Sequence, residues 1–458
     1  MTENNSRKAG FIITCITVAV AIAMICAVAL PYITSIIREN AAALGEVPTK
    51  EEIVASMDSE PFEKNHISSY IKKWEFPAFE DNLIDTVEAT FERYYYKDIP
   101  EEGVLARATV NAFLEFYYDH INLKNTDEVS DALVDCLIYA IGDNYAFYRT
   151  AAEADEYEAD MSGNLVGIGV SVVRNNKNNT IVVEAVEIGS PAEAAGVKPG
   201  DYIVAVNGER VSDIGAEAAI GKIRGDIGTK VRVTVLRGVT EAELEMTRAK
   251  ITETTVSCKT YADGNVGYVR ITGFKSNTDT QFVEAIDDLE AAGVKAIIFD
   301  LRNNGGGYLD SVCNMLSYLV PTGTKIVSFS NSKETIYATD GKDSQFESEG
   351  DHVLRIPSVV LCNEYSASAA ELFSAAMRDY NAMGILKSTL IGKTTFKKGI
   401  MQSTLTFTDG STLTLTTALY NPPSDVNFNG VGVEPDIILT DDADYINEAL
   451  AQLGYPVG

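Results

Sequence analysis

Two serines stand close together in NEYSASAAE (residues 363–371), directly after the apolar run PSVVLC (357–362). Small residues around two hydroxyls suit either a loosely packed helix start or a place where backbone and hydroxyl meet a substrate closely. Two further segments carry residue types that do chemistry. DLRNNGGGYLDSV (300–312) follows a continuous apolar run that ends at Asp300, and GKTTFKKGIMQ (392–402) holds two adjacent lysines and a glutamine. The commoner hydrolytic patterns are missing. There is no G-x-S-x-G, and none of the three histidines, His66, His120 and His352, completes one, which argues against a Ser-His-Asp hydrolase. There is no H-E-x-x-H, which argues against a zincin. S-x-x-K occurs at Ser69–Lys72 and Ser330–Lys333, but without S-D-N or K-T-G beside it the pattern is short enough to arise by chance.

The surrounding sequence indicates what positions these blocks. VKAIIFD (294–300) has the unbroken apolar character of a strand buried on both faces. VGYVRITGF (266–274) reads as a strand, and TQFVEAIDDLEAAG (280–293) as a helix stopped by Gly293. Upstream, Leu83, Val87, Phe91 and Tyr94 fall at helical spacing, and DALVDCLIYAIG (131–142) repeats the pattern up to Gly142; both are core stripes with no chemistry assigned. Between these regions, about residues 164–250 carry short β-rich runs separated by turn signals.

The 458 residues suggest two or three folded domains. With 37 Lys and Arg against 66 Asp and Glu, the formal charge of −29 argues against nucleic-acid binding, which needs basic patches. Ala9 to Tyr32 carries no charge and follows Arg7 and Lys8. That is long enough to span a bilayer and predicts a cytoplasmic N-terminus; a signal peptide cleaved after Ala27–Ala29 is the alternative. Either way the bulk of the chain is expected outside the cytoplasm. The six cysteines contain no C-x-x-C; Cys15 and Cys26 lie in the apolar run, and Cys136, Cys258, Cys313 and Cys362 are expected to be buried thiols.

LVGIGVSVV (165–173), GSPAEAAGVKPGDYIVAVNG (189–208) and GTKVRVTVLR (228–237) together resemble a PDZ domain over about 85 residues. The resemblance implies that Gly167, Ile168 and Gly169 form a carboxylate-binding loop. Glycines let backbone N–H groups converge on an anion, and the adjoining strand edge can accept an extended peptide.

The three chemical blocks, together with VGYVRITGF and GVGVEPD (430–436), resemble the carboxyl-terminal processing peptidases, or tail-specific proteases. With the PDZ-like block, the resemblance covers most of residues 80–440. It implies a Ser-Lys dyad with Ser368 as nucleophile, Lys398 as general base and Gln402 orienting the lysine. Spacing is consistent with the last role, because i and i+4 share a face in a helix or a strand. Backbone N–H groups of Gly306 and Ala369 are the expected oxyanion donors, and no metal or organic cofactor is implied. A lysine base must lose its proton, so Lys398 is expected in a mostly apolar setting. The chain departs from the family at Lys397, where F-G-K-G is usual and F-K-K-G stands here; Lys397 is expected to be exposed.

The expected architecture is α/β and multidomain, with a PDZ domain inserted before an α/β tail-specific-protease core. The segments are a cytoplasmic tail (1–8), a transmembrane anchor (9–32), a stalk (33–74), a helical region (75–155), the PDZ domain (160–250), the protease core (251–445) and a C-terminal tail (446–458). The expected activity is exported, membrane-anchored serine endoproteolysis. Its partners are expected to be protein or peptide substrates with accessible C-termini and the membrane, without nucleic acid, and a homo-oligomer stays open. A tethered peptide-binding scaffold without catalysis is the competing reading.

Overall fold

The computed structural model describes residues 82–455 apart from 118–119, 121–125, 163, 176–179, 188, 331–344 and 441–443. The expected anchor and stalk, and most of Ser330–Lys333, lie outside the described residues. Among the described residues no helix is long and apolar enough to cross a membrane.

In chain order the fold begins with α1 (Asn82–Tyr94), α2 (Glu102–Phe116), α3 (Thr126–Ile141), β1 (Phe147–Arg149) and α4 (Ala151–Met161). The PDZ-like stretch follows as β2 (Asn164–Gly167), β3 (Val170–Asn175), β4 (Thr180–Val186), α5 (Pro191–Ala195), β5 (Tyr202–Val206) and β6 (Glu209–Arg210). It continues through α6 (Val211–Ile214), α7 (Ala216–Ile223), β7 (Lys230–Arg237), β8 (Thr240–Thr247) and β9 (Ala249–Thr252). Next come β10 (Val256–Tyr261), β11 (Val266–Ile271), α8 (Thr278–Ala291), β12 (Ala296–Asp300), α9 (Leu309–Leu319), β13 (Lys325–Ser330) and β14 (Gln345–Glu347). The chain ends with β15 (Ser358–Cys362), α10 (Ala369–Ala382), β16 (Ser388–Gly392), β17 (Ile400–Thr406), β18 (Thr412–Asn421), β19 (Ile437–Ile438) and α11 (Tyr445–Gln452).

The chain divides into two compact units. The smaller holds α1–α3, β1 and the β17–β18 hairpin. The helical stripe read from sequence is its core: Val87 and Phe91 are fully buried, Leu83 and Tyr94 pack at the margin, and Leu413 and Leu415 of β18 close the cluster. Gly142 follows α3 with a positive φ, ending that helix as its position suggested.

The larger unit contains the PDZ-like and α/β parts. In the former, β3-β4-β5-β7-β8 form an antiparallel sheet in that order, with β3 at one edge. Alternation in KVRVTVLR buries Val231, Val233 and Val235 against Ile181, Val183 and Ile203.

The α/β part is a sheet of order β10-β11-β12-β15-β16-β19, parallel from β11 onward. Every residue of β12 and of β15 is buried, because both faces are covered. On one face Phe299 stacks among Phe282 of α8 and Phe373 of α10, with ring centroids 5.6 to 6.2 Å apart. On the other, Ala296 and Ile298 pack with Ala449 and Leu450 of α11. All three chemical blocks leave the carboxyl end of a strand of this sheet: β12, β15 and β16.

Candidate active site

The two serines of NEYSASAAE part company. Ser366 is fully buried; its hydroxyl donates to the Leu301 carbonyl at 2.8 Å and accepts the Asn363 N–H at 2.9 Å. It fastens β15 to the turn after β12. Ser368 is half-buried and sits immediately before α10 with φ 55° and ψ −115°. A non-glycine residue in that region is strained, the kind of backbone that presents a hydroxyl at a strand-to-helix turn.

Glu371, one helical turn on, is completely buried and is the residue that ties this turn to the lysine segment. One carboxylate oxygen accepts the N–H of Ser368 at 2.9 Å and the N–H of Lys398 at 2.8 Å. The other accepts the Lys397 N–H at 2.7 Å and the Thr395 hydroxyl at 2.5 Å. The backbone nitrogens of Ser368 and Lys398 therefore lie within two hydrogen-bond lengths of each other, on one oxygen. Charge-assisted bonds of this kind are about twice as strong as neutral ones. Sequence reasoning assigned Glu371 no role, although Ser368-x-x-Glu371 has the form of a capping box.

The lysine segment is held on its other side too. Phe396 N–H donates to the Ser366 carbonyl at 3.0 Å, and Gly430 N–H donates to the Lys397 carbonyl at 2.9 Å. Lys397 is exposed, as the sequence suggested, and Lys398 is half-buried. Lys397 has φ 87°, a conformation that favours glycine.

Gly306 presses against the serine turn. A Cβ there would lie 2.8 Å from the Ala367 carbonyl oxygen, 2.8 Å from the Ser368 Cβ and 3.1 Å from the Ala369 nitrogen. Of the two expected oxyanion donors, the Ala369 N–H, at the first position of α10, donates to no protein acceptor among the described residues. The Gly306 N–H donates to Asn304 Oδ1 at 2.9 Å. Asn304 is itself buried: its amide donates to the Ile271 carbonyl and its own carbonyl accepts the Ala367 N–H at 2.9 Å.

Gln402 lies in the smaller unit, where its amide donates to Thr416 Oγ1 at 3.3 Å and Thr416 in turn donates to Asp143. Lys398 precedes β17, and the register against β18 shifts between Met401 and Gln402. The simple alternation of one strand therefore does not apply between these two residues.

In the PDZ-like part, Gly167 ends β2 opposite Ala249, and the Ile168 side chain is buried in the local core. The Ile168 carbonyl accepts the Ala192 N–H at 2.8 Å and the Gly169 carbonyl accepts the Glu187 N–H at 3.0 Å. Among the described residues the N–H groups of Ile168 and Gly169 donate to no protein acceptor. Gly169 has φ 79°, and a Cβ there would collide with the Ser190 Cβ, so only glycine fits.

Asp300 closes β12 and is 1 % exposed. Burial pushes its carboxyl up, but the hydrogen bonds and charge of Arg302, the Tyr268 hydroxyl and Arg270 outweigh burial and hold it below the ordinary carboxylate range. Cys136, Cys313 and Cys362 are buried thiols as expected; Cys258 is exposed, because it lies on β10, the edge strand of the sheet. Among the described residues no group of ligating side chains could hold a metal ion.

Comparison with known proteins converges on the same regions. Residues 265–439 match peptidase family S41, and residues 182–237 match the PDZ domain. A probable CtpA-like serine protease of Staphylococcus aureus (strain MRSA252) is 31% identical over 377 residues, covering 81% of this chain and 73% of that protein. The corresponding protein of Staphylococcus haemolyticus (strain JCSC1435) is 33% identical over 318 residues, covering 69% of this chain and 61% of that protein. The solved structure of a putative S41 protease from Bacteroides fragilis NCTC 9343 shares the fold at 16% identity and a TM-score of 0.50, covering 84% of this chain and 95% of that one. With its PDZ domain, its S41 core and this degree of identity, the chain belongs to the CtpA-like serine proteases of peptidase family S41.

Proposed function

We propose that the protein is a membrane-anchored, exported endopeptidase that engages C-terminal tails of protein substrates through its PDZ domain and cleaves them by a Ser368–Lys398 mechanism. The observation that supports it most is the single Glu371 oxygen that accepts the backbone N–H groups of both residues. Ser368 Oγ attacks the scissile carbonyl carbon while neutral Lys398 Nζ takes its proton. The oxyanion is held by the Ala369 N–H, joined by the Gly306 N–H once that group releases Asn304; such a donor contributes about 3 kcal/mol. Collapse breaks the peptide C–N bond, and Lys398 returns the proton to the leaving amine, which leaves an ester on Ser368. Water, deprotonated by Lys398, attacks the ester and frees the new carboxyl terminus and Ser368. Gln402 has the task of orienting Lys398 in this reading, and no cofactor takes part.

The Ile168 and Gly169 N–H groups support capture of a terminal carboxylate, with β3 as the edge to which a tail adds. Residues 9–32 are proposed as the anchor, with the catalytic part extracytoplasmic; extraction of membranes at alkaline pH releases the protein if the segment is instead cleaved as a signal. The deciding experiment is turnover of an unstructured protein with a free C-terminal tail. Wild type cuts it and Ser368→Ala does not; equal cleavage by both removes Ser368 from the mechanism. Gly169→Val raises KM for the tailed substrate more than for its tailless counterpart, and an equal effect on both argues against tail capture.

A further inference from the structure

A cavity of about 410 Å3 opens at the carboxyl edge of the parallel sheet, and neither the serine nor the lysine of the proposed dyad lines it. Its walls are charged. Arg270 is the penultimate residue of β11, Arg302 follows β12 and Lys393 follows β16, and Asp300 and Glu364 line the same cavity. Asp300 is saturated from within the wall: it accepts the Tyr268 hydroxyl at 2.7 Å, Arg270 Nη1 at 3.1 Å, Arg302 Nη2 at 2.5 Å and the Arg302 N–H at 3.0 Å. One carboxylate thus serves two guanidinium groups. Lys393 and Glu364 pair at 3.1 Å. Among the described residues, three cations and two anions line the cavity, in a chain whose formal charge is −29.

The unused donors carry the inference. Among the described residues, Arg270 Nε and Nη2 and Arg302 Nη1 donate to no protein group. The Arg302 guanidinium also lies 4.7 Å from the centre of the Tyr445 ring, which helps to fix its plane. Two guanidinium groups held by a shared buried carboxylate, with free edges at a cavity, form a preorganised fork for a planar anion. Open α/β sheets take their ligands at this edge. We propose that the cavity binds a carboxylate group, supplied either by an acidic side chain of a polypeptide or by a free small carboxylic acid. The proposal does not depend on the Ser368 chemistry.

Calorimetric titration of the full chain in detergent tests it, with glutarate, the end-capped tripeptides Gly-Glu-Gly and Gly-Gln-Gly, and inorganic phosphate as probes. Binding of glutarate, the Glu tripeptide or both, with the Gln tripeptide at least about tenfold weaker, is the expected result. Binding of glutarate alone identifies the free acid as the source, and binding of the Glu tripeptide alone identifies the polypeptide. Glu364→Gln removes a competing charge from a half-exposed position and tightens binding roughly three- to tenfold, while Lys393→Met weakens it by a similar factor. The opposite signs hold the test open even where one variant folds poorly. Affinities unmoved by either variant, no binding of either carboxylate, or phosphate bound tenfold more tightly than both, overturn the proposal. Ser368→Ala leaves these titrations unchanged, so they report on the cavity whether or not the dyad reading stands.

Discussion

Gly306→Ala is the perturbation for which the structure supplies the most arithmetic. The new methyl would start 2.8 Å from both the Ala367 carbonyl oxygen and the Ser368 Cβ, on a residue whose φ is 99°. Non-bonded carbons settle near 3.5–4.0 Å, so the serine turn or the glycine turn must retreat by roughly 0.7 Å or more. The positive φ adds about 1–2 kcal/mol for an L-residue, and overpacking a tight contact adds about 1–3 kcal/mol. Displacement of a reacting group by about 1 Å costs on the order of a hundredfold in rate. The expected outcome is kcat/KM lower by ten- to a hundredfold (roughly 1.4–2.7 kcal/mol in activation free energy) and a lower Tm. The control is Gly305→Ala, where a Cβ meets nothing within 4 Å and φ is not positive. Steady-state turnover of an unstructured substrate, together with thermal unfolding of both variants, provides the readout. A Gly306→Ala enzyme as active and as stable as Gly305→Ala would refute the close packing of these two turns as a determinant of the site.

Three further outcomes follow from the same region. Glu371→Gln replaces one acceptor oxygen with an NH2 that faces N–H donors, stranding one or two of them at about 1–3 kcal/mol each; kcat should fall further than KM rises, and a change in KM alone would contradict a positioning role. Lys397→Gly relieves a positive φ and should raise stability by up to about 1 kcal/mol in urea titration, with loss of stability counting against strain at that residue. The carboxyl of Asp300 is held below its unfolded value, so its contribution to stability is complete above about pH 4 and is lost as pH falls through the folded value. Urea midpoints measured from pH 6 to pH 3 should therefore drop less steeply for Asp300→Asn than for wild type, and parallel curves would remove Asp300 as a source of acid lability.

The sheet was legible because its strands are so apolar: VKAIIFD and PSVVLC can be little else than strands covered on both faces, and both are. The three chemical blocks could be ordered along the chain for the same reason, since each leaves such a strand. The bond that joins two of them could not be read. Glu371 reaches Lys398 across 27 residues of chain, and a capping box reports only its local half. Asn304 is similar: nothing in NNGGG tells which asparagine turns inward to hold Gly306 and which does not. Ser366 and Ser368 were separable by resemblance alone; burial now supplies the physical reason, since a hydroxyl engaged with Leu301 and Asn363 has no access to a substrate. The register shift in β17 just before Gln402 is invisible in a sequence that alternates poorly, so spacing alone carries no orientation for that side chain. Cys258 was assigned to the interior on residue type, whereas its place on an edge strand decides its exposure.

The most direct test of the central claim is peptide mapping after reaction with a phosphonylating serine reagent at neutral pH. The dyad predicts a single adduct on Ser368 in the wild type, formed at least a hundredfold more slowly in Lys398→Ala. An adduct on another residue, or labelling of Ser368 at an unchanged rate without Lys398, would contradict it.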